Sequence, residues 1–167
     1  MAIAFYKMDF CGVRHFGALS YDELFAIVVA LLTMNTARID VRLMLRVQQI
    51  PAEMGREEVI RTLAQEVAAE HFPGMGELLA ETALEREAAE PTYLGRSLAV
   101  PHARVRGLSA AVVYVAPAER VLWHEEPVEC VALLCVPEER PELHLQLLSR
   151  IVRWRMKGGE LQLPAEL

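Results

Sequence analysis

Cysteine is scarce, with three in 167 residues, and an odd number cannot close into a complete disulfide framework. Cys130 and Cys135 lie five positions apart inside the apolar run 128–136, so on a strand they would face opposite sides. They read as buried thiols of a reducing compartment, which points to the cytoplasm. Long apolar runs are missing too: the longest, residues 24–34, falls well short of the roughly 20 residues that span a bilayer. Asp22 and Glu23 stand directly before that run, where a secretory signal wants positive charge. There is no basic excess, since 17 Lys and Arg against 23 Asp and Glu leave a net charge of -6. That balance excludes an extended nucleic-acid footprint. The cluster Arg150, Arg153, Arg155 and Lys157 is accounted for by the C-terminal end of a helix, which favours cations.

What is abundant is apolar residue, 53% of the chain, enough for one domain with a real core at this length. Residues 1–36 are aromatic-rich and weakly periodic, a divergent N-terminal extension in which Ser20 or Asp22 is placed to cap a short helix over 21–33. From residue 39 the pattern sharpens. Ile39, Val41, Leu43, Leu45 and Val47 alternate with Asp40, Arg42, Met44 and Arg46, the period of a strand with one buried face. Residues 57–70 carry Val59, Ile60, Leu63, Ala64 and Val67 on one helical stripe, ended by Pro73-Gly74. A second helix is expected over 76–88, with Leu78, Leu79, Thr82 and Ala83 inward. Strands follow at 98–100, 110–116 and 128–136, with a short apolar piece at 121–123. A last helix over 141–155 shows the stripe Leu143, Leu147, Leu148, Ile151 and Trp154. The expected architecture is α/β, three layers, a mixed sheet with helices on both faces. The domain would span 37–157, followed by a short tail over 158–167.

The informative stretch is 84–105, L-E-R-E-A-A-E-P-T-Y-L-G-R-S-L-A-V-P-H-A-R-V, followed downstream by P-E-E-R-P-E-L-H-L-Q-L-L-S at 137–149. It resembles the type-2 IIA components of the bacterial phosphotransferase system, the fructose, mannitol and nitrogen-regulatory kind. Their signature is Leu-x-Arg-Glu, then Thr-x-x-Gly, then Gly-Ile-Ala-Ile-Pro-His. The resemblance implies His102 as phosphoryl acceptor, Arg86 as active-site arginine and His144 as second histidine, with Thr92, Gly95 and Ser97 in the phosphoryl-site loop. It implies a histidine phosphocarrier protein as donor, and a IIB component or regulated target proteins as onward partners. No IIB or IIC segment occurs within these residues, so the reading is a stand-alone regulator of the nitrogen-related type. A sugar-specific transport component and a transfer-inactive binding module of the same fold are the alternatives.

The chemistry behind each role is independent of the family. A neutral imidazole, with an ordinary pKa of about 6.5, offers one nitrogen to phosphorus while its N–H is held by an acceptor. A guanidinium grips phosphoryl oxygens with parallel N–H bonds. A histidine near a helix start donates where anions are already favoured. No metal, nucleotide or other cofactor is required, and no Gly-rich phosphate loop is present. The chain departs from the signature at Ser97 and Ala103, where glycine is usual. On these grounds the loop is expected to be stiffer or narrower. His124-Glu125-Glu126 lacks the paired spacing of a metal site, and Gly95-Arg-Ser97-Leu-Ala99 lacks the strand–turn–helix setting of a hydrolase elbow. Glu85, Glu87 and Glu90 read as surface partners for Arg86. Such a carrier requires one imidazole nitrogen open to solvent, with a guanidinium and a second imidazole converging on the same anion-sized space.

Overall fold

The computed structural model describes the backbone of Ile3–Phe5 and residues 41–156 in full. The expected helix over 21–33, Cys11, His15 and the tail over 158–167 lie outside the described residues. In chain order the elements are β1 (Ile3–Phe5), β2 (Val41–Arg46), α1 (Arg56–His71), α2 (Gly76–Ala89), β3 (Leu98–Ala99), β4 (His102–Val105), β5 (Ala111–Trp123), β6 (Glu126–Pro137) and α3 (Pro141–Met156).

The strands form one mixed sheet in the order β1-β2-β5-β6-β3, with β4 also paired to β6. β1 runs antiparallel to β2, β2 parallel to β5, and β5 antiparallel to β6. β3 and β4 lie end to end along the same side of β6, both parallel to it. Parallel neighbours need helical crossovers, and these cover both faces. Met44, Tyr114, Ala116, Val131 and Leu133 pack under α1 and α2, while Leu45, Val113, Val115, Ala132 and Leu134 pack against Leu143, Leu147 and Ile151 of α3. This is the three-layer α/β arrangement expected from the sequence.

Being covered on both faces corrects the reading of β2 as a strand with one buried side. Met44 and Leu45 are adjacent and both buried, at 1% and 5% exposure, one in each layer of core. Arg46 also turns inward. Its Nε lies 3.5 Å from Glu66, and the Tyr114 hydroxyl donates to the same carboxylate at 2.6 Å, which satisfies a charge buried at 7% exposure. In α2 the inward set is Leu79, Ala80 and Ala83, whereas Leu78, expected inside, is 52% exposed. The apolar pieces at 110–116 and 121–123 belong to one long strand, β5, whose register shifts between Pro117 and Val121. Cys130 and Cys135 fall in opposite layers, and burial pushes both thiols up to about 12.

α3 is the only described helix on its face, and Leu147 is fully buried beneath it. Leu147→Ala is expected to destabilise the protein by about 2–5 kcal/mol, through lost transfer energy and the cavity left behind. Urea unfolding at neutral pH measures this.

Candidate functional site

His102 opens β4 at the margin of the sheet, opposite Leu134 of β6. Strand alternation sends Ala103 and Val105 into the α1–α2 layer and therefore turns His102 toward α3. There His144, in the first turn of α3, meets it, with ring centroids 4.4 Å apart and planes tilted by 38°. Pro141 is the first residue of α3, a position where its fixed φ suits a helix and its missing N–H costs nothing. Arg86 comes from the last turn of α2, on the other face, and acts electrostatically on both imidazoles. His102 and His144 are thus brought into contact from two elements at one sheet margin, while the guanidinium of Arg86 is bonded to Glu90 and reaches the pair through its field.

The ring of His102 is oriented by one bond, Nδ1 to the carbonyl oxygen of Val100 at 3.1 Å. A carbonyl only accepts, so Nδ1 carries the proton and the lone pair of the neutral ring sits on Nε2. The residue is more enclosed than expected for an open imidazole, at 6% exposure, with the His144 ring against it. Burial pushes its pKa below the ordinary histidine value. The Val100 carbonyl opposes that shift, Arg86 adds to it, Glu87 opposes it and Arg104 adds to it. His144 is driven down to about 4, by burial first and then by His102, Arg104 and Arg86. Its Nε2 is buried with no hydrogen-bond partner.

Arg86 donates from Nη1 to the Glu90 carbonyl at 3.0 Å and from Nη2 to the Glu90 carboxylate at 3.3 Å. Its side chain is 37% exposed, and a guanidinium has more N–H donors than these bonds use. The partner expected at the surface beside it, Glu87, is instead 1% exposed. Its carboxylate accepts from the Thr92 backbone N–H, from Trp123 Nε1 at 2.8 Å and from the Thr92 hydroxyl, and lies 3.0 Å from His124 Nε2. The Thr92 hydroxyl therefore points into the protein rather than acting as a free donor. Trp123 and His124 were not legible as site neighbours. Glu87 was: it is the glutamate of the Leu-x-Arg-Glu stretch at 84–87, although it was read there as a surface partner.

Gly95 and Ser97 shape the turn before β3 and do not touch the ring. Leu98 stands opposite Cys130 and His102 opposite Leu134, a separation of roughly 13 Å at strand rise. Gly95, Arg96 and Ser97 all have positive φ, at 80°, 51° and 56°. Ser97 occupies a left-handed position that glycine takes freely, at a cost of about 1–2 kcal/mol. Bonds from Glu129 and Cys130 N–H to its carbonyl, at 2.9 and 3.1 Å, hold it there. Ala103 is fully buried in the α1–α2 layer, so its methyl fills core space and leaves the approach to His102 unchanged.

A family model described as the phosphoenolpyruvate-dependent sugar phosphotransferase system, EIIA 2, matches residues 46–162. The chain belongs to this family. This EIIA 2 chain is 36% identical over 113 residues to the 2-O-alpha-mannosyl-D-glycerate-specific EIIABC component of Escherichia coli, a match covering 64% of the chain and 17% of that protein. It is 31% identical over 100 residues to a nitrogen regulatory protein of Pseudomonas aeruginosa, covering 58% of the chain and 65% of that protein. The match thus spans under two thirds of either relative's length. Its fold is similar to nitrogen regulatory protein IIA-Ntr from Neisseria meningitidis, with TM-score 0.56 and 23% identity over 65% of this chain and 79% of that one. IIA mannitol from Escherichia coli gives TM-score 0.54 and 21% identity, over 65% and 77%. No helix among the described residues is long and apolar enough to cross a membrane.

Two depressed histidines make stability depend on pH with a definite sign. In the unfolded chain each takes up a proton near pH 6.5, while the native site stays neutral to lower pH. Stability from this pair is therefore complete above about pH 6.5 and is lost as pH falls toward 4, the native value of His144. Urea midpoints at pH 7, 6 and 5 should fall in that order, and His144→Gln should flatten the slope.

Proposed function

We propose that this EIIA 2 chain is a phosphoryl carrier that accepts phosphate on Nε2 of His102 from a histidine phosphocarrier protein. The observation that carries this is the bond from Nδ1 to the Val100 carbonyl, in a ring flanked by His144 and within the field of Arg86. At neutral pH the unprotonated Nε2 bonds to phosphorus as the donor's N–P bond breaks, and the donor imidazole leaves with that electron pair. Little else is asked of the protein than alignment and charge stabilisation. Arg86 supplies a permanent positive charge to the phosphoryl oxygens. His144, neutral at rest, takes up a proton when the dianion arrives beside it and donates to it, since an adjacent negative charge favours the protonated ring. No metal or nucleotide takes part in this scheme.

The use made of the phosphoryl group is regulatory in this reading, its presence or absence setting which proteins the chain binds. Similarity to the nitrogen regulatory protein of Pseudomonas aeruginosa and the IIA-Ntr fold supports it. A second reading, transfer to a IIB component during sugar transport, is favoured by the 36% identity to the mannosylglycerate EIIABC component. It is favoured too by the fold's likeness to enzyme IIA mannitol in complex with phosphorylated IIB, at TM-score 0.51, 20% identity and coverage of 65% of this chain and 76% of that one.

Incubation with labelled phosphoenolpyruvate, enzyme I and the phosphocarrier should give acid-labile, alkali-stable label that is absent in His102→Ala. Arg86→Ala should slow uptake by about a hundredfold or more, comparable to removing one donor from a preorganised anion site. The His144 pKa, followed by NMR, should rise on phosphorylation. An unlabelled native chain would instead identify a transfer-inactive binding module.

A further inference from the structure

Beneath the histidine pair, an unbroken sequence of hydrogen bonds runs from a buried carboxylate to the ring of His102. Glu87 accepts from the Thr92 backbone N–H at 3.2 Å and from the Thr92 hydroxyl. The Thr92 carbonyl accepts from Val100 N–H at 3.0 Å, and the Val100 carbonyl accepts from His102 Nδ1 at 3.1 Å. Each step has one sense only, because each acceptor on the path is a carboxylate or carbonyl.

The other end of the path is equally fixed. Trp123 Nε1 and His124 Nε2 reach Glu87 Oε1 at 2.8 and 3.0 Å from the β5–β6 hairpin. His124 stands at φ 58°, a left-handed position at the head of that tight turn, which is unusual for a side-chain-bearing residue. Glu87 thereby joins three pieces of chain: the last turn of α2, the loop carrying Thr92, and the hairpin. Arg86, its immediate neighbour, shares that last helical turn. Aside from Glu87, the turn is closed by the bond from Glu90 N–H to the Arg86 carbonyl, at 3.3 Å, and by Arg86's own bonds to Glu90.

We propose that Glu87 is the positioning residue of this site: through Thr92 and Val100 it fixes the orientation of the His102 ring, and through the end of α2 it fixes the helical turn that carries Arg86. It touches neither the phosphoryl group nor the reacting nitrogen. Its contribution is to hold two groups from different elements in register, where a displacement of about 1 Å costs on the order of a hundredfold in rate. The rate consequence rests on the phosphoryl-carrier reading; the orientation of the ring does not.

Thr92→Val and Glu87→Gln test this in the full chain. The first removes only the hydroxyl and keeps the shape. The second removes the charge and sets an amide N–H₂ among donors. With phosphocarrier at saturation, phosphoryl uptake should fall about tenfold in Thr92→Val and by ten- to a hundredfold in Glu87→Gln, with the KM for the phosphocarrier within about twofold of native. Nitrogen-15 NMR of the imidazoles should show His102 passing from a single Nδ1–H form to a mixture of tautomers in both variants. The His102 titration should move to lower pH in Glu87→Gln, because the carboxylate favours its protonated form. Folded variants with native tautomer and native uptake overturn the proposal, as does a loss confined to KM. If Glu87→Gln fails to fold, Thr92→Val decides by the same readouts. If the native chain takes up no phosphate, the carrier reading fails, while the NMR readout, which needs no donor, still decides the role of Glu87.

Discussion

A single bond from an imidazole N–H to the carbonyl of Val100 determines what the site can do. A histidine on a strand can present either nitrogen, and its rotamer and tautomer are otherwise free to vary. Here the two-residue distance from Val100 to His102, across Pro101, brings carbonyl and ring together. Proline bars the helical conformation for the residue before it, and the Pro101 carbonyl is itself tied to Leu134 N–H at 2.9 Å. The segment is therefore stitched to β6 on one side and to Thr92 on the other, and the histidine has one arrangement. The ring's orientation and its Nδ1–H tautomer follow from backbone that the sheet has already fixed.

The fold makes this possible by splitting a short edge. β3 and β4 share one flank of β6, with His102 at the start of the second piece, where helices from both layers can approach it. α2 contributes Arg86 from one face and α3 contributes His144 from the other. A strand in the middle of the sheet would offer no such access, since neighbouring strands flank it on both sides and helices cover both its faces. The cost is enclosure. Burial above all, with the fields of Arg86 and Arg104 adding to it, disfavours the protonated form of both imidazoles.

Much of this was legible in the chain. Periodicity located the described helices to within about a residue or two, because Val59, Ile60, Leu63 and Val67, or Leu143, Leu147 and Ile151, repeat at helical spacing on faces that are in fact buried. Strand boundaries were less visible. Met44 and Leu45 show why, since a strand covered on both faces loses its alternation, and an Arg46 paired to a buried Glu66 cannot be told from a surface residue by pattern alone. The same limit hid the burial of Glu87, although the residue itself stands in the Leu-x-Arg-Glu stretch. A charged residue in the last turn of a helix looks solvated unless its donors, Thr92, Trp123 and His124, are known to lie above it, and two of these are more than thirty positions away. Ser97 shows the converse. Its departure from glycine was visible, but only the backbone shows that it adopts the left-handed conformation anyway and that it lies away from the ring.

Phosphoryl transfer at His102, as proposed, depends on which nitrogen is nucleophilic. Phosphorus–nitrogen correlation by NMR on the phosphorylated chain measures this directly, from the coupling of the phosphoryl group to one imidazole nitrogen of His102. Phosphorus bonded to Nε2, with the proton retained on Nδ1, is the predicted result. Phosphorus on Nδ1, or on His144, would contradict it.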